Sequence, residues 1–451
     1  MSVLKKVSFA TKSRVLAPQS FIALNRLRAS EQLSPAKLAQ LRDQRSSEMA
    51  RFAYDNSSFY RDFYADHGFS RADLDDPECF YSLPFLTKDH VREHFAEIKT
   101  GQANSRTARP SVSSGSTGHP LTVLSDVRAP VRAYEWRAME WWGVEPWQNG
   151  ATIDRTHRHG LRQAQQQLLY WPTKRIIFDT LKLDDDALER FVQEWNQVKP
   201  QYVVGFIGGV ATVGKLLAER SKMAHSPTAV AVTAGPLFEG QRQEMQLAFG
   251  APVYNHYRST ESNWLAAECR EQSGLHCFDD IKNLEIINAD GSPTEGSSKG
   301  ETVFTDFANR VFPLVRYRIG DRTARIEGDC ACGRPFRRVA TIEGRIVDNL
   351  VFPSGRVLTG DIFDYFEGSA AYIQQYAVYQ RSDYGVEVSL RLTDHPDALP
   401  VAEERVGRLR ARVGAEAPVS LKIVDQIDVV RGKFRPIVSD AQAVPPPPAQ
   451  S

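Results

Sequence analysis

The stretch Ser113-Ser114-Gly115-Ser116-Thr117-Gly118-His119-Pro120 reads as a loop built to surround an anion. Gly115 and Gly118 let the main chain approach a bound group closely, which presents backbone N–H donors to it. The hydroxyls of Ser113, Ser114, Ser116 and Thr117 add further donors. The order is not that of a Walker loop, because no lysine follows the second glycine. A polyphosphate cradle and a flexible polar loop both fit these residues, and the segments downstream decide between them.

The bulk properties narrow the field first. A chain of 451 residues suggests about two to four domains. Hydrophobic content of 42% and charged content of 25% are those of an ordinary globular protein. A formal net charge of +1 gives no reason to expect nucleic acid or an anionic membrane surface as partner. No apolar run approaches the ~20 residues that cross a bilayer. Met1 to Ala17 is mildly basic and lacks the apolar core of a signal peptide. A cytoplasmic protein is expected, with an amphipathic organellar presequence as the alternative. Five cysteines make no disulfide framework in a chain of this length, which favours thiol or metal chemistry.

Along the chain, residues 1–33 form a basic lead-in with little pattern. Ser34-Pro35 reads as a helix cap followed by proline at the first helical position, with Leu38, Leu41, Met49 and Phe52 at helical spacing behind it. Thr87 reads as a second cap. Tyr202 to Gly205, Ala229 to Ala234 and Pro252 to Tyr254 look like buried strands, and Gly214 to Ala224 and Glu239 to Phe249 like helices. That alternation argues for a parallel sheet covered by helices. From about Ile281 the texture becomes antiparallel, with turn signals such as Ala289-Asp290-Gly291-Ser292. Beyond Gly344 a smaller unit carries a strand pair (Tyr376 to Gln380, Val386 to Leu392), a charged helix (Asp397 to Val413) and a strand at Ser420 to Val424. The run Pro445 to Pro448 has nothing to pack and is expected to be extended.

Four segments follow the loop in order. Tyr257-Arg258-Ser259-Thr260-Glu261 sets an aromatic face, hydroxyls and a carboxylate at a strand end, where open α/β sheets bind ligands. Arg316-Tyr317-Arg318-Ile319-Gly320-Asp321 places a carboxylate just past a glycine, able to accept from ribose hydroxyls. Gly344-Arg345-Ile346-Val347-Asp348-Asn349 stands at the change of texture. Arg431-Gly432-Lys433-Phe434-Arg435-Pro436 puts a lysine on a glycine-led loop.

This ordered set resembles the superfamily of adenylate-forming acyl-CoA synthetases, peptide-synthetase adenylation domains and luciferases. Within it the likeness is to the phenylacetate–CoA ligase-like branch, including capsular-polysaccharide ligase-like proteins, and runs from about residue 34 to 440. Leu83-Pro84-Phe85-Leu86-Thr87-Lys88 is similar to the entry motif of that branch. The resemblance implies an α/β fold: a large N-terminal domain of helix-covered, mostly parallel sheets with a small antiparallel β-subdomain, then a small mobile α+β domain. The expected boundaries are 1–33 for the lead-in, 34–347 for the adenylation domain, 348–440 for the mobile domain and 441–451 for a disordered tail.

By position, the resemblance assigns Ser113, Ser114, Gly115, Ser116, Thr117, Gly118 and His119 to the β- and γ-phosphates of ATP. Tyr257 would stack on adenine, Thr260 would contact the α-phosphate and Glu261 would help bind Mg²⁺. Asp321 and Arg345 would hold the ribose, Asp348 would be the hinge, and Lys433 would bridge carboxylate and α-phosphate. The chemistry is self-consistent. A carboxylate is a poor electrophile, so it is joined to AMP with release of pyrophosphate, and a nucleophile, coenzyme A in most relatives, then displaces AMP. Cations and N–H donors aimed at the transition state oppose the repulsion of two anions. Two positions depart from the pattern. His119 stands where many relatives carry lysine or arginine, and its unperturbed pKa of ~6.5 makes its charge conditional. Val347 stands where the branch often has a second acidic residue.

Cys269 and His276 form a C-x₆-H pair, and Cys330-Ala331-Cys332 a C-x-C pair before a glycine. Three thiolates and one imidazole compose a closed structural zinc site, with Cys277 as an alternative ligand. Similar sets occur in some phenylacetate–CoA ligase-like proteins. The acyl pocket is expected near Phe206, Gly235 and Pro236. Trp141, Trp142 and Trp147 read as core, with an aromatic pocket wall as the other reading. The leading expectation is an ATP-dependent ligase joining a small or aryl carboxylic acid to CoA, with ATP, Mg²⁺, CoA and structural Zn²⁺ as its small-molecule partners and a homodimer as an open assembly. Transfer to an amine, hydroxyl or carrier thiol is the nearest alternative, and a non-catalytic nucleotide-binding relative the next.

Overall fold

The Ser34-Pro35 signal is a helix start. Ser34 accepts from the Lys37 N–H at the head of the helix Pro35–Asn56, where Leu38 and Met49 are buried. Thr87 caps Lys88–Glu93, and His90 completes a capping box by accepting from the Thr87 N–H. The computed structural model describes residues 2–112, 121–154, 167–168, 170–180, 184–220, 225–234, 237, 239–342, 350–358, 365–366, 369, 372–425 and 437–441. The expectations at Ser113 to Pro120, Gly235, Pro236, Arg345, Asp348 and Lys433 lie outside these residues, as does the proline run. Two compact units result: Met1–Ser111 with Val123–Glu343, and Val112–Thr122 with Gly344–Ser451.

In the first unit the strands are β1 (Ala108–Val112), β2 (Thr122–Asp126), β3 (Gly150–Asp154), β4 (Arg175–Asp179), β5 (Tyr202–Phe206), β6 (Ala229–Thr233), β7 (Val253–Tyr257), β8 (Ala266–Glu268), β9 (Leu275–Cys277), β10 (Lys282–Ile287), β11 (Lys299–Asp306), β12 (Tyr317–Ile326) and β13 (Arg338–Val339). β3 to β13 form one eleven-stranded sheet in the order β10-β11-β12-β13-β9-β8-β7-β6-β5-β3-β4. Pairs from β4 across to β7 are parallel. From β7 to β10 every pair is antiparallel. The expected antiparallel portion is thus hydrogen-bonded onto the parallel one as a single sheet.

Every residue of β6 and β7 is buried, the mark of strands covered on both faces. On one face Ile153, Val203, Val230 and Val253 pack against Trp195, Val213 and Phe249 of the helices Asp185–Val198, Ile207–Arg220 and Glu239–Phe249. On the other, Tyr202, Ala231 and Tyr254 meet Trp136, Met139 and Trp142 in and just beyond the helix Val131–Trp141. Trp141 and Trp142 are therefore core.

The lead-in, read as basic with little pattern, is helical. It forms the helices Ser2–Leu16 and Pro18–Ser30, and Leu24 and Leu27 are buried in the same core as Trp136. The buried stripe of the second helix is Ser20, Leu24, Leu27 and Ser30, half of it serine, so hydrophobic periodicity could not reveal it. Ser30 is satisfied inside by donating to the Leu27 carbonyl at 2.7 Å.

The second unit contains β14 (Leu350–Val351), β15 (Val357–Leu358), β16 (Ile373–Gln380), β17 (Val386–Leu392), β18 (Val419–Ile423) and β19 (Ile437–Ser439). Its four-stranded sheet runs β18-β17-β16-β19. Val378, Val388 and Leu390 pack against Ala402, Val406 and Leu409 of the helix Ala398–Val413. The strand pair, helix and final strand stand within a few residues of where their periodicity placed them. No helix among the described residues is long and apolar enough to cross a membrane.

Candidate active site and Cys/His cluster

β7 delivers Tyr257 to its C-terminal end, at the point where the sheet passes from parallel to antiparallel. The buried Tyr257 hydroxyl donates to Asp321 Oδ2 at 2.5 Å, joining two expected site residues from opposite halves of the sheet. Asp321 follows Gly320, whose φ of +85° suits a residue without Cβ, and a Cβ there would stand 3.4 Å from Lys88 Nζ. Lys88 belongs to the Leu83 to Lys88 segment, which bonds onto β12: the Leu86 N–H donates to Arg316 O at 3.1 Å and the Arg318 N–H to Leu86 O at 2.9 Å. Arg316 itself is structural. It pairs with Glu285 at 2.8 Å and donates to the Leu83 carbonyl at 2.5 Å.

After β7 the chain folds back in a tight loop. The Ser262 N–H donates to Ser259 Oγ at 2.9 Å and the Ser259 N–H to Ser262 O at 3.2 Å. This leaves Thr260 exposed and Glu261 buried. Below the loop, Ser262 Oγ donates to Asp306 Oδ2 at 2.9 Å, and the buried Lys282 ammonium pairs with Asp306. Burial lowers the Lys282 pKa and the Asp306 carboxylate opposes that shift. Sequence reasoning missed this support, since a lone lysine and aspartate on separate strands form no motif. Phe206 ends β5, half-buried.

A phenol-to-carboxylate bond of this kind orients the acceptor, and a hydrogen bond to a charged group contributes about 1.5–3 kcal/mol. Tyr257→Phe is expected to weaken ATP binding roughly tenfold or more on that scale, with the fold intact. Equilibrium ATP titration checks this, and unchanged affinity would exclude the Tyr257–Asp321 bond from any role in nucleotide binding.

His256, one residue earlier, lies stacked on Trp264 at 4.8 Å and near Trp142 at 5.7 Å. Among the described residues neither ring nitrogen has a hydrogen-bond partner. Burial first, and the Arg258 charge second, hold its pKa well below the ordinary value. The folded protein keeps His256 neutral, whereas an unfolded chain protonates it near ~6.5. This contribution to stability is complete above that pH and is lost as pH falls below it, by up to about 1.4 kcal/mol per unit. Denaturant midpoints from pH 8 to 5 should fall more steeply in the unmodified protein than in His256→Phe. Equal slopes would contradict a neutral buried His256.

The Cys/His set also assembles. Cys269 follows β8, His276 is central in β9, and Cys330 and Cys332 lie in the turn after β12. Their ligand atoms all fall within 4.8 Å of one another. The sulfurs of Cys269 and Cys330 are 3.7 Å apart, and Cys332 Sγ is 3.4 Å from His276 Nε2. Tetrahedral zinc with Zn–S of ~2.3 Å and Zn–N of ~2.0 Å implies S–S and S–N separations of about 3.8 and 3.5 Å, so the residues fit the ion. Burial holds His276 down at about 4, leaving the imidazole neutral as a ligand must be. Cys277 is outside the cluster, because adjacent residues of a strand face opposite ways; burial pushes its thiol up to about 12. Arg338 steadies the surrounding loops, donating to Ser273 Oγ at 2.9 Å and to the Gly328 carbonyl at 3.1 Å.

The Tyr257–Asp321 pair thus lies where the sheet passes from parallel to antiparallel. No family model matches the chain. Phenylacetate-coenzyme A ligase of Thermus thermophilus is 25% identical over 334 residues, 71% of this chain and 73% of that protein. Protein CapK of Staphylococcus aureus is 24% identical over 63% of this chain and 62% of its own. Among solved structures, 2-hydroxyisobutyryl-CoA ligase in complex with 2-HIB-AMP and CoA in the thioesterification state gives a TM-score of 0.66 at 20% identity, covering 92% of each chain. The fold is that of an adenylate-forming ligase. In sequence the chain is similar to phenylacetate–CoA ligases and to CapK.

Proposed function

We propose that the protein is an AMP-forming ligase that activates a small or aryl carboxylic acid with ATP and transfers the acyl group to coenzyme A. The observation that carries this reading is the Tyr257–Asp321 pair beside Thr260 and Glu261. Phenylacetate–CoA ligases are among the relatives in sequence, and 2-hydroxyisobutyryl-CoA ligase is seen with 2-HIB-AMP and CoA on the same fold.

In this reading Tyr257 offers its ring to adenine while its hydroxyl fixes Asp321 for the ribose, with Arg345 beside it. The loop Ser113 to Gly118, with His119, receives the β- and γ-phosphates. Thr260 meets the α-phosphate, and Lys433 neutralises charge as the carboxylate oxygen attacks phosphorus and pyrophosphate leaves. Glu261 would hold Mg²⁺, which supplies charge neutralisation on the phosphates. Phe206, Gly235 and Pro236 border the acid. A hinge at Asp348 lets the 348–440 domain present Lys433 for the first step and withdraw it for the second, when the CoA thiolate attacks the acyl carbon and AMP departs. The cluster of Cys269, His276, Cys330 and Cys332 holds a structural zinc that ties β8, β9 and the turn after β12 together. The protein works in the cytoplasm.

The second acceptor class is an amine, a hydroxyl or a carrier thiol in place of CoA. Product analysis with an activated acid separates the two. Acyl-CoA formed in step with AMP is the expected result. An amide or ester formed while CoA stays unacylated would overturn the thioester assignment but not the adenylation.

A further inference from the structure

The strand that carries Tyr257 joins the antiparallel half of the sheet through a short ladder. The backbone pairs between β7 and β8 are His256 with Ala267 and Tyr257 with Ala266. At the next place along, Asn255 stands opposite Glu268, and a side chain takes over from the backbone. The Asn255 N–H donates to Glu268 Oε2 at 2.6 Å. Two residues earlier, the Val253 carbonyl accepts from Arg242 Nη1 at 2.5 Å and from Gln272 Nε2 at 2.6 Å. Arg242, on the helix Glu239–Phe249, closes the group by donating to both carboxylate oxygens of Glu268, at 2.7 and 3.0 Å. The Glu268 carbonyl in turn accepts from Trp142 Nε1 at 2.9 Å. Glu268, Arg242 and Asn255 are all buried.

In a regular ladder the Asn255 N–H would meet a backbone carbonyl. A carboxylate accepts more strongly, and its bidentate pairing with Arg242 fixes its direction as well as its place. A slip of β7 by one residue would turn Tyr257 to the other face of the sheet. Two backbone pairs resist that slip weakly, and the bonds to Asn255 and Val253 reinforce them. Tyr257 stands two residues from Asn255, ~7 Å along the strand. Asp321 lies on β12, which joins β8 through β13 and β9. The clamp therefore holds the strand of the phenol against the half of the sheet that carries its carboxylate.

We infer that Glu268 is a positioning residue for the nucleotide: held by Arg242 and holding the Asn255 N–H, it sets where Tyr257 meets Asp321. It acts through Tyr257, and its reach to Asn255 matters more than its charge. This inference rests on the reading of Tyr257 and Asp321 as part of the nucleotide site.

Reach and charge can be varied separately, which sets positioning apart from a merely structural role. Glu268→Asp keeps the charge for Arg242 but is one methylene too short for the Asn255 N–H. Glu268→Gln keeps the reach and an acceptor oxygen but leaves the buried Arg242 charge unbalanced. The experiment is equilibrium ATP titration of the full chain and both variants, alongside their melting temperatures. Glu268→Asp should bind ATP roughly tenfold more weakly, and Glu268→Gln should stay within about twofold of the unmodified protein while melting lower than Glu268→Asp. Glu268→Asp combined with Tyr257→Phe should bind no more weakly than the weaker single variant, because both act on one bond. Should Glu268→Gln fail to fold, Glu268→Asp and the combination still decide. Unchanged affinity in Glu268→Asp, the reverse order of the two variants, or multiplied losses in the combination would overturn the inference alone. Unmodified protein that binds no ATP would overturn the nucleotide reading and this inference with it.

Discussion

Replacing Lys433 with alanine should lower acid-dependent adenylation by about 10²–10³-fold, the usual effect of deleting one positioned donor to a transition-state oxyanion. Bringing a carboxylate to the α-phosphate of ATP sets two anions against each other, and the charge at phosphorus grows as the bond forms. In the proposed cycle Lys433 neutralises that charge in the first step and is absent from the second. Thioester formation from a supplied acyl-adenylate should therefore keep most of its rate in the same variant. Single-turnover measurement of both half-reactions distinguishes this from a general defect. Equal loss in the two steps would contradict the withdrawal of Lys433 between them.

The second large effect is expected at the Cys/His cluster. Purified protein should carry one zinc per chain, and Cys330→Ser/Cys332→Ser should carry none. Structural zinc contributes about 10–16 kcal/mol of binding free energy in small domains, so even a fraction of that removes much of a protein's stability. The double variant should melt far lower or fail to accumulate as folded protein, and a strong chelator should lower the melting temperature of the unmodified chain alone. Cys277→Ser is the control, since Cys277 faces away from the cluster and should leave zinc content unchanged. Absence of stoichiometric zinc from the unmodified protein would end the metal assignment.

Local pattern made much of this architecture legible. Ala229 to Val232 is an unbroken small-apolar run of the kind that a strand covered on both faces buries throughout. Ser34-Pro35 and Thr87 announce their helices because capping is a local hydrogen bond. The rest depends on long-range pairing. β8, β9 and β13 are only two or three residues long, too short to carry a period, so the union of the parallel and antiparallel portions into one sheet left no trace in the sequence. The helix Pro18–Ser30 hides behind buried serines. Lys282 and Asp306 meet across strands far apart in the chain. Strand alternation lets only one of His276 and Cys277 face the other ligands, and the structure puts His276 there. The cradle and the Tyr257 to Glu261 segment acquired meaning through their order with Asp321 and Lys433, and the bond from Tyr257 to Asp321 is the part of that order that geometry now supplies.

The account rests on carboxylate activation, which is measured most directly by carboxylate-dependent exchange of labelled pyrophosphate into ATP across a panel of aryl and small organic acids. At least one acid should give exchange well above the acid-free rate, and the exchange should collapse in Lys433→Ala. ATP binding without exchange for any acid would contradict the account and leave a nucleotide-binding protein on a ligase fold.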